Sequence, residues 1–251
     1  IREYDKKIPK DLTAEEILIR SGNIGSVRIG QKIGVEKFKY FLTKINVINK
    51  IEFDIDETGI PIPFKWGKCK LATTSFGHGI TTTPLQLAKG YAIVTNGGYD
   101  VNPTIIREKS EKLIKYKKRI IKENVSKKIN PILRKIVTSK EGTANLADVK
   151  GYEIGGKTGT AEKIVSGTYS NQKKINTFAS VFPISNPKFV LVVILDEPQI
   201  NADYIYNYRD GSNFKLKGSP RNTSGWTTVE ATGHIVEKIG PILATKYIEI
   251  N

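Results

Sequence analysis
The chain has 251 residues, with 40 Lys and Arg against 25 Asp and Glu, for a formal charge of +15. That length can bury one substantial core with a small appendage, and 39% hydrophobic content describes a folded globular chain. No run of about 18 apolar residues occurs, so no membrane-spanning helix is expected, and no signal peptide opens the chain. A single cysteine, Cys69, excludes an internal disulfide. The basic charge invites a nucleic-acid reading. It is spread widely, however, with its densest block at Lys109 to Lys128, and no zinc spacing, helix-turn-helix text or aromatic RNA-binding signature accompanies it. The reading is therefore of no nucleic-acid partner.

In chain order, residues 1–12 are polar and basic. Leu12 to Arg20 makes a short helix opened by a capping box, Thr13 at the N-cap and Glu16 three residues on, and it delivers Ser21-Gly22-Asn23. On their own, Ser21 and Asn23 are explained by helix capping and turn formation. The next element is Val35 to Ile48, an amphipathic helix expected to pack Val35, Phe38, Phe41, Leu42 and Ile45 on the core. Gly59, Pro61, Pro63 and Gly67 make residues 49–70 a loop. Gly77-His78-Gly79 then runs into a helix that begins near Thr83-Pro84 and stops at Asn96-Gly97-Gly98.

Residues 103–122 suggest two short strands or a peripheral hairpin. Asn130-Pro131 reads as the start of another helix, with Leu133, Ile136 and Val137 facing inward. Gly142-Thr143-Ala144 opens the approach to Gly155-Gly156-Lys157-Thr158-Gly159-Thr160-Ala161. After a short polar loop come two apolar runs, Phe178 to Phe182 and Phe189 to Leu195, whose β-branched and aromatic residues suit buried strands. Lys-Thr-Gly-Thr is thus expected on a strand beside the central hairpin of a sheet. There Lys157 offers a cation for a carboxylate, Thr158 and Thr160 offer hydroxyl and backbone N–H donors, and Gly159 lets an extended backbone lie against the strand. Alone, the string is equally compatible with an ordinary turn and strand. A tyrosine-rich loop, Gln199 to Ser224, holds Tyr204, Tyr206 and Tyr208. A closing helix, Trp226 to Tyr247, carries Val229, Val236, Ile239 and Leu243 on one face and a kink at Pro241.

Ser-x-Asn upstream of Lys-Thr-Gly is the order of two of the three signatures of penicillin-interacting serine enzymes. Around Ser21-Gly22-Asn23-Ile24-Gly25 and Lys157-Thr158-Gly159 stand Phe76-Gly77-His78-Gly79-Ile80, Thr83-Pro84-Leu85-Gln86-Leu87-Ala88 and Gly142-Thr143-Ala144. Together, from about Asp11 to Leu243, this text resembles the transpeptidase domain of class B penicillin-binding proteins, most closely the division-specific septal peptidoglycan transpeptidases. The resemblance implies an α/β (α+β) penicillin-binding-protein/β-lactamase-like fold, an antiparallel sheet flanked by helices with its N-terminal part missing. Residues 1–251 would be the C-terminal portion of a single transpeptidase domain. The implied reaction is serine acyl transfer: a serine attacks the carbonyl between two D-alanines of a stem peptide, and an amine resolves the acyl-enzyme.

By the same resemblance, Ser21 shuttles a proton, and Asn23 hydrogen-bonds the substrate amide. Lys157 supplies positive potential, and the Thr158 and Thr160 hydroxyls hold the substrate carboxylate. The Thr160 N–H forms half of an oxyanion hole, a donor typically worth roughly 3 kcal/mol of transition-state stabilisation. Implied partners are D-Ala-D-Ala stem peptides, β-lactams, an upstream segment carrying the nucleophile, and membrane proteins of the divisome. The implied location is the periplasmic face of the inner membrane, without a cofactor or metal. His78 is expected to line the groove rather than to catalyse, and His234 to be a surface or packing residue.

The family's nucleophile belongs to a Ser-x-x-Lys motif before Ser-x-Asn, and nothing upstream of Ser21 fits it. Ser170-Asn171-Gln172-Lys173 and Ser185-Asn186-Pro187-Lys188 come later, are expected in polar loops, and are rejected as nucleophiles. With Ile at position 1 and no Met, the chain reads as a truncated, split or processed piece. Two alternatives stand beside this reading: a non-catalytic binding remnant of the same fold, and a class A β-lactamase relative. The second is disfavoured by the long Ser21-to-Lys157 separation and the lack of a deacylating glutamate segment.

Overall fold
The computed structural model describes residues 1–107, 118–218 and 221–247. The chain divides into two compact units, Ile1–Ile132 and Leu133–Asn251.

The first unit is helical: α1 Ala14–Arg20, α2 Asn23–Ile33, α3 Val35–Lys44, α4 Lys68–Thr74, α5 Pro84–Thr95 and the start of α6, Glu123–Thr138. Thr13 and Glu16 cap α1 reciprocally, as Thr83 and Gln86 do for α5, where Pro84 occupies the first turn. Ile45, Val47 and Ile93 form a buried cluster, with Leu42, Ile48, Ile120 and Ile121 packed around it.

Four features of this unit depart from the sequence reading. A helix, α2, fills the stretch after Asn23, where two glycines concealed it; a Cβ at Gly30 would lie 1.9 Å from Ser75 Oγ, so the glycine permits close packing against the end of α4. The α3 stripe is not sunk into the core: no residue of α3 is buried, and Phe41 is 39% exposed. Its packing on the core is partial: Leu42 lies against the Ile45, Val47 and Ile93 cluster, the C-cap Ile45 is buried, and the Phe38 ring sits edge-on to Trp66 at 6.3 Å. The loop expected through residue 70 gives way to α4 at Lys68. Finally, α6 begins at Glu123, which places Pro131 inside the helix rather than at its start. Of the hairpin expected over 103–122, residues 108–117 lie outside the described residues; beside them a single bridge joins Tyr99 and Arg119.

The second unit is organised by three antiparallel strands in the order β1-β2-β3: β1 Gly155–Val165, β2 Thr168–Phe182 and β3 Phe189–Asp196. The register sets Lys157 opposite Ala179, Thr158 opposite Phe178 and Thr160 opposite Asn176. Helix α7, Thr228–Tyr247, packs on β2 and β3. Ile154, Phe178, Val181, Val229 and Val236 are wholly buried between these elements and the end of α6, whose Leu133, Ile136 and Val137 face inward as expected.

Here too the structure corrects details. The "short polar loop" after Lys-Thr-Gly-Thr is a β-ribbon in which β1 and β2 continue beyond β3, so Ser170 to Lys173 lie in a strand. Ser185 to Lys188 do form the turn between β2 and β3. β3 is half-buried rather than buried, with Ile194 39% exposed, and Ile239 on α7 is also exposed. The tyrosine-rich loop contains a small hairpin, β4 Ile205–Asn207 with β5 Lys215–Lys217. It is tied to α7 by a buried ion pair: Arg209 Nη1 and Nη2 meet the two Glu230 carboxylate oxygens at 2.8 and 3.0 Å. His234 joins this network at its exposed rim, 3.1 Å from both Glu230 and the Tyr204 hydroxyl.

Candidate active site
The predicted site residues fall into two groups, one in each unit. Ser21 and Asn23 form the corner between α1 and α2. Ser21 is the C-cap of α1 in the left-handed region, φ 57°, and its N–H reaches the last carbonyls of that helix. A serine there costs on the order of 1 kcal/mol relative to an unstrained conformation. Asn23 opens α2, and its amide Nδ2 donates to the Arg2 carbonyl at 2.9 Å. The Glu3 carboxylate accepts from the N–H groups of Asn23 and Ile24 at 2.7 and 2.9 Å. A carboxylate thus caps the positive end of α2, which has no side-chain cap of its own. Neither Glu3 nor Arg2 was marked by any sequence pattern.

His78, between two glycines with φ 88° and 74°, stacks on Phe76 at 4.9 Å. The positive angles explain why glycine flanks it on both sides.

The second group lies on β1. β2 pairs with one edge of this strand, and among the described residues no strand pairs with the other. Successive side chains leave opposite faces, so Lys157 and Gly159 share one face while Thr158 and Thr160 share the other. Gly156 is needed by the fold itself, since a Cβ there would sit 2.5 Å from the Ala179 carbonyl oxygen. Gly159 is not: a Cβ would meet nothing closer than Thr177 at 3.9 Å, and the residue is exposed. The glycine that the fold does not demand is the one facing outward at the open edge.

Lys157 is half-buried, its Nζ donating to the Thr158 carbonyl at 3.0 Å. Desolvation pushes its pKa down to about 8 from the usual 10.5. The two threonine hydroxyls each have a partner behind the strand. Thr158 Oγ1 lies 2.7 Å from Thr143 Oγ1, and Thr160 Oγ1 accepts from the Ser224 N–H at 3.0 Å. A hydroxyl can make three hydrogen bonds, so each keeps capacity for a ligand.

Residues 1–213 match the family model of the penicillin-binding protein transpeptidase domain. The chain belongs to this family. It is 30% identical over 243 residues to a probable peptidoglycan D,D-transpeptidase FtsI of Caulobacter vibrioides, covering 94% of this chain and 39% of the relative. It is 34% identical over 196 residues to stage V sporulation protein D of Bacillus subtilis, covering 73% of this chain and 30% of the relative. The fold matches penicillin-binding protein 3 of Mycobacterium tuberculosis in complex with aztreonam with a TM-score of 0.79 at 22% identity, covering 99% of this chain and 55% of that one. The chain therefore spans about two fifths or less of the curated relatives named here.

For a penicillin-binding transpeptidase domain, the open-edged Lys-Thr-Gly-Thr strand sits where sequence reasoning put it. Its rear supports, Thr143 and Ser224, went unrecognised. Thr143 was visible as part of Gly-Thr-Ala, but nothing in the text tied it to Thr158, and Ser224 carried no signal. Among the described residues no group of three or more His, Cys, Asp or Glu gathers to hold a metal ion, and no helix is long and apolar enough to cross a membrane.

Proposed function
We propose that this domain binds peptidoglycan stem peptides ending in D-Ala-D-Ala, and the β-lactams that mimic them. In the full-length protein it would serve the D,D-transpeptidase reaction that cross-links the cell wall at the division septum. Lys157, Thr158, Gly159 and Thr160 form the edge on which the peptide lies. The peptide backbone adds alongside β1 past the bare Gly159, its carboxylate meets the two threonine hydroxyls, and the Thr160 N–H faces the carbonyl under attack. Ser21 and Asn23 supply the proton shuttle and the amide contact. The nucleophilic serine comes from a Ser-x-x-Lys segment other than the two in this chain, since Ser170 lies within a strand and Ser185 in a turn. We place residues 1–251 within one such catalytic domain, on the periplasmic side of the inner membrane and within reach of divisome proteins.

The observation that carries this reading is the Lys-Thr-Gly-Thr strand at an open sheet edge with a glycine the fold does not need. Its support comes from the relatives: two are named as D,D-transpeptidase and sporulation protein, and a structural neighbour holds aztreonam. The test is covalent labelling of the full-length protein by a fluorescent penicillin, with Lys157→Ala and Gly159→Val beside the parent. Both variants should keep their melting temperature and lose most of the labelling rate. Labelling at the parental rate in either would remove this strand from the site.

A further inference from the structure
Thr143 stands where the chain leaves α6. Its neighbours are held on both sides: the Gly142 N–H donates to the Ser139 carbonyl at 2.9 Å, the Ala144 N–H donates to the Ile136 carbonyl at 3.1 Å, and the Asn145 amide bridges the Val137 and Ser139 carbonyls, each at 2.8 Å. A Cβ at Gly225 would come within 2.8 Å of the Thr143 carbonyl oxygen, so the turn Ser224–Trp226 closes against the same residue. That turn is itself pinned, because Ser224 Oγ donates to the Thr177 carbonyl at 2.6 Å and pairs with Thr228 Oγ1 at 2.7 Å. Two rigid supports therefore reach the same face of β1 two residues apart.

We propose that Thr143 and the Ser224 N–H are positioning groups that fix the Thr158 and Thr160 hydroxyls as hydrogen-bond donors to a ligand carboxylate. The reasoning is one of proton counting. A backbone N–H can only donate, so Thr160 Oγ1 accepts from Ser224 and keeps its own proton for another acceptor. The same orientation follows for Thr158 when Thr143 donates across the 2.7 Å contact. Both hydroxyls then present protons, which suits an anion and opposes a ligand group that must itself donate. The two groups thereby set a preference for carboxylate over carboxamide at the end of the peptide. This rests on the proposed function above.

The test titrates the chain with an N-acylated peptide ending in D-Ala-D-Ala and with its C-terminal carboxamide, reading the affinity ratio by NMR with the melting temperature alongside. The parent should prefer the acid by about tenfold, as expected for a hydrogen bond to a charged group. Thr143→Val should cut that ratio roughly fivefold, and Thr143→Ser should restore it. Thr143→Cys, which keeps the volume with a weaker donor, should fall between and guards against a Val variant that does not fold. A parent that prefers the acid while Thr143→Val keeps the full ratio overturns this inference alone. A parent without any preference overturns the carboxylate reading itself, and the inference with it.

Discussion

The two groups of site residues are held by different kinds of structure. The Ser21–Asn23 corner is fixed by a few single bonds: the C-cap of α1, and the Arg2 and Glu3 partners that meet Asn23 and the first N–H groups of α2. The Lys157–Thr160 strand is fixed by a continuous ladder with β2, where Ala179 and Phe178 stand opposite, and by Ser224, 64 residues on, behind Thr160. A local cap contributes on the order of 1 kcal/mol and can be lost singly. A strand wedged between distant elements has no such graded response, because a shift at one contact displaces several. The corner should thus be adjustable by substitution and the sheet unit brittle.

The hardest blow to the sheet unit should come from Arg209→Ala, which takes the guanidinium from the Glu230 carboxylate, a side chain only 6% exposed, and leaves it the Tyr204 hydroxyl and the His234 ring at the exposed rim. Removing one partner of a buried pair costs about 3–5 kcal/mol, read as a drop in the urea midpoint. A variant that unfolds like the parent would mean that water reaches the carboxylate. Next comes a paired test on β1. Gly156→Ala forces a Cβ against the Ala179 carbonyl and the Phe178 ring and should cost about 1–3 kcal/mol. Gly159→Ala, three residues on, should stay within about 0.5 kcal/mol of the parent. Equal losses at both would show that the outer edge is covered.

A smaller effect is expected from Lys157→Met, and its sign depends on pH. In the fold the ammonium titrates near 8, and a free lysine near 10.5. Between those values the unfolded chain holds a proton that the folded chain has released, so stability of the parent rises with pH across that window. The Met variant lacks this contribution. Its melting temperature relative to the parent should be highest below pH 8 and fall as pH approaches 10.5, spanning about 1–2 kcal/mol after allowance for partial exposure. A difference that ignores pH would place the ammonium in water. At the other end of the helix that leads to the corner, Thr13→Ala should remove the α1 capping box and cost about 1 kcal/mol, measured by chemical denaturation. A loss as large as that of Arg209→Ala would erase the contrast between the two regions.

The same contrast explains what the sequence could and could not reveal. The α1 capping box, Pro84 at a first turn and the apolar run of β2 are local signals, and each appears where expected. Helix α2 was hidden because Gly25 and Gly30 look like breakers, whereas one admits Ile17 and the other Ser75 against the helix. Pro131 reads as a first-turn residue since nothing in Glu123 to Asn130 advertises a helix upstream of it. The α3 stripe has helical spacing, but spacing cannot say whether a partner surface exists to cover it. The site strand was legible; the Thr143 and Ser224 supports and the Arg209–Glu230 pair join residues 15, 64 and 21 positions apart, with no periodic pattern to announce them.

The overhanging ribbon has a consequence for how motion is distributed. Gly155 to Ala161 pair with Val181 to Ile175, and every one of those β2 residues is backed in turn by β3. Past that point the ladder has two strands only, closed at its root by Lys163 against Asp196 and Glu197 at 2.9 and 2.8 Å. Amide hydrogens of the inner β2 segment, paired on both sides, should therefore exchange with solvent only through large-scale opening, while those near the Ser166–Gly167 tip exchange by local fraying. The tip becomes a place where residues can be inserted, nicked or labelled with a spectroscopic probe without disturbing the seven residues that form the lip of the site.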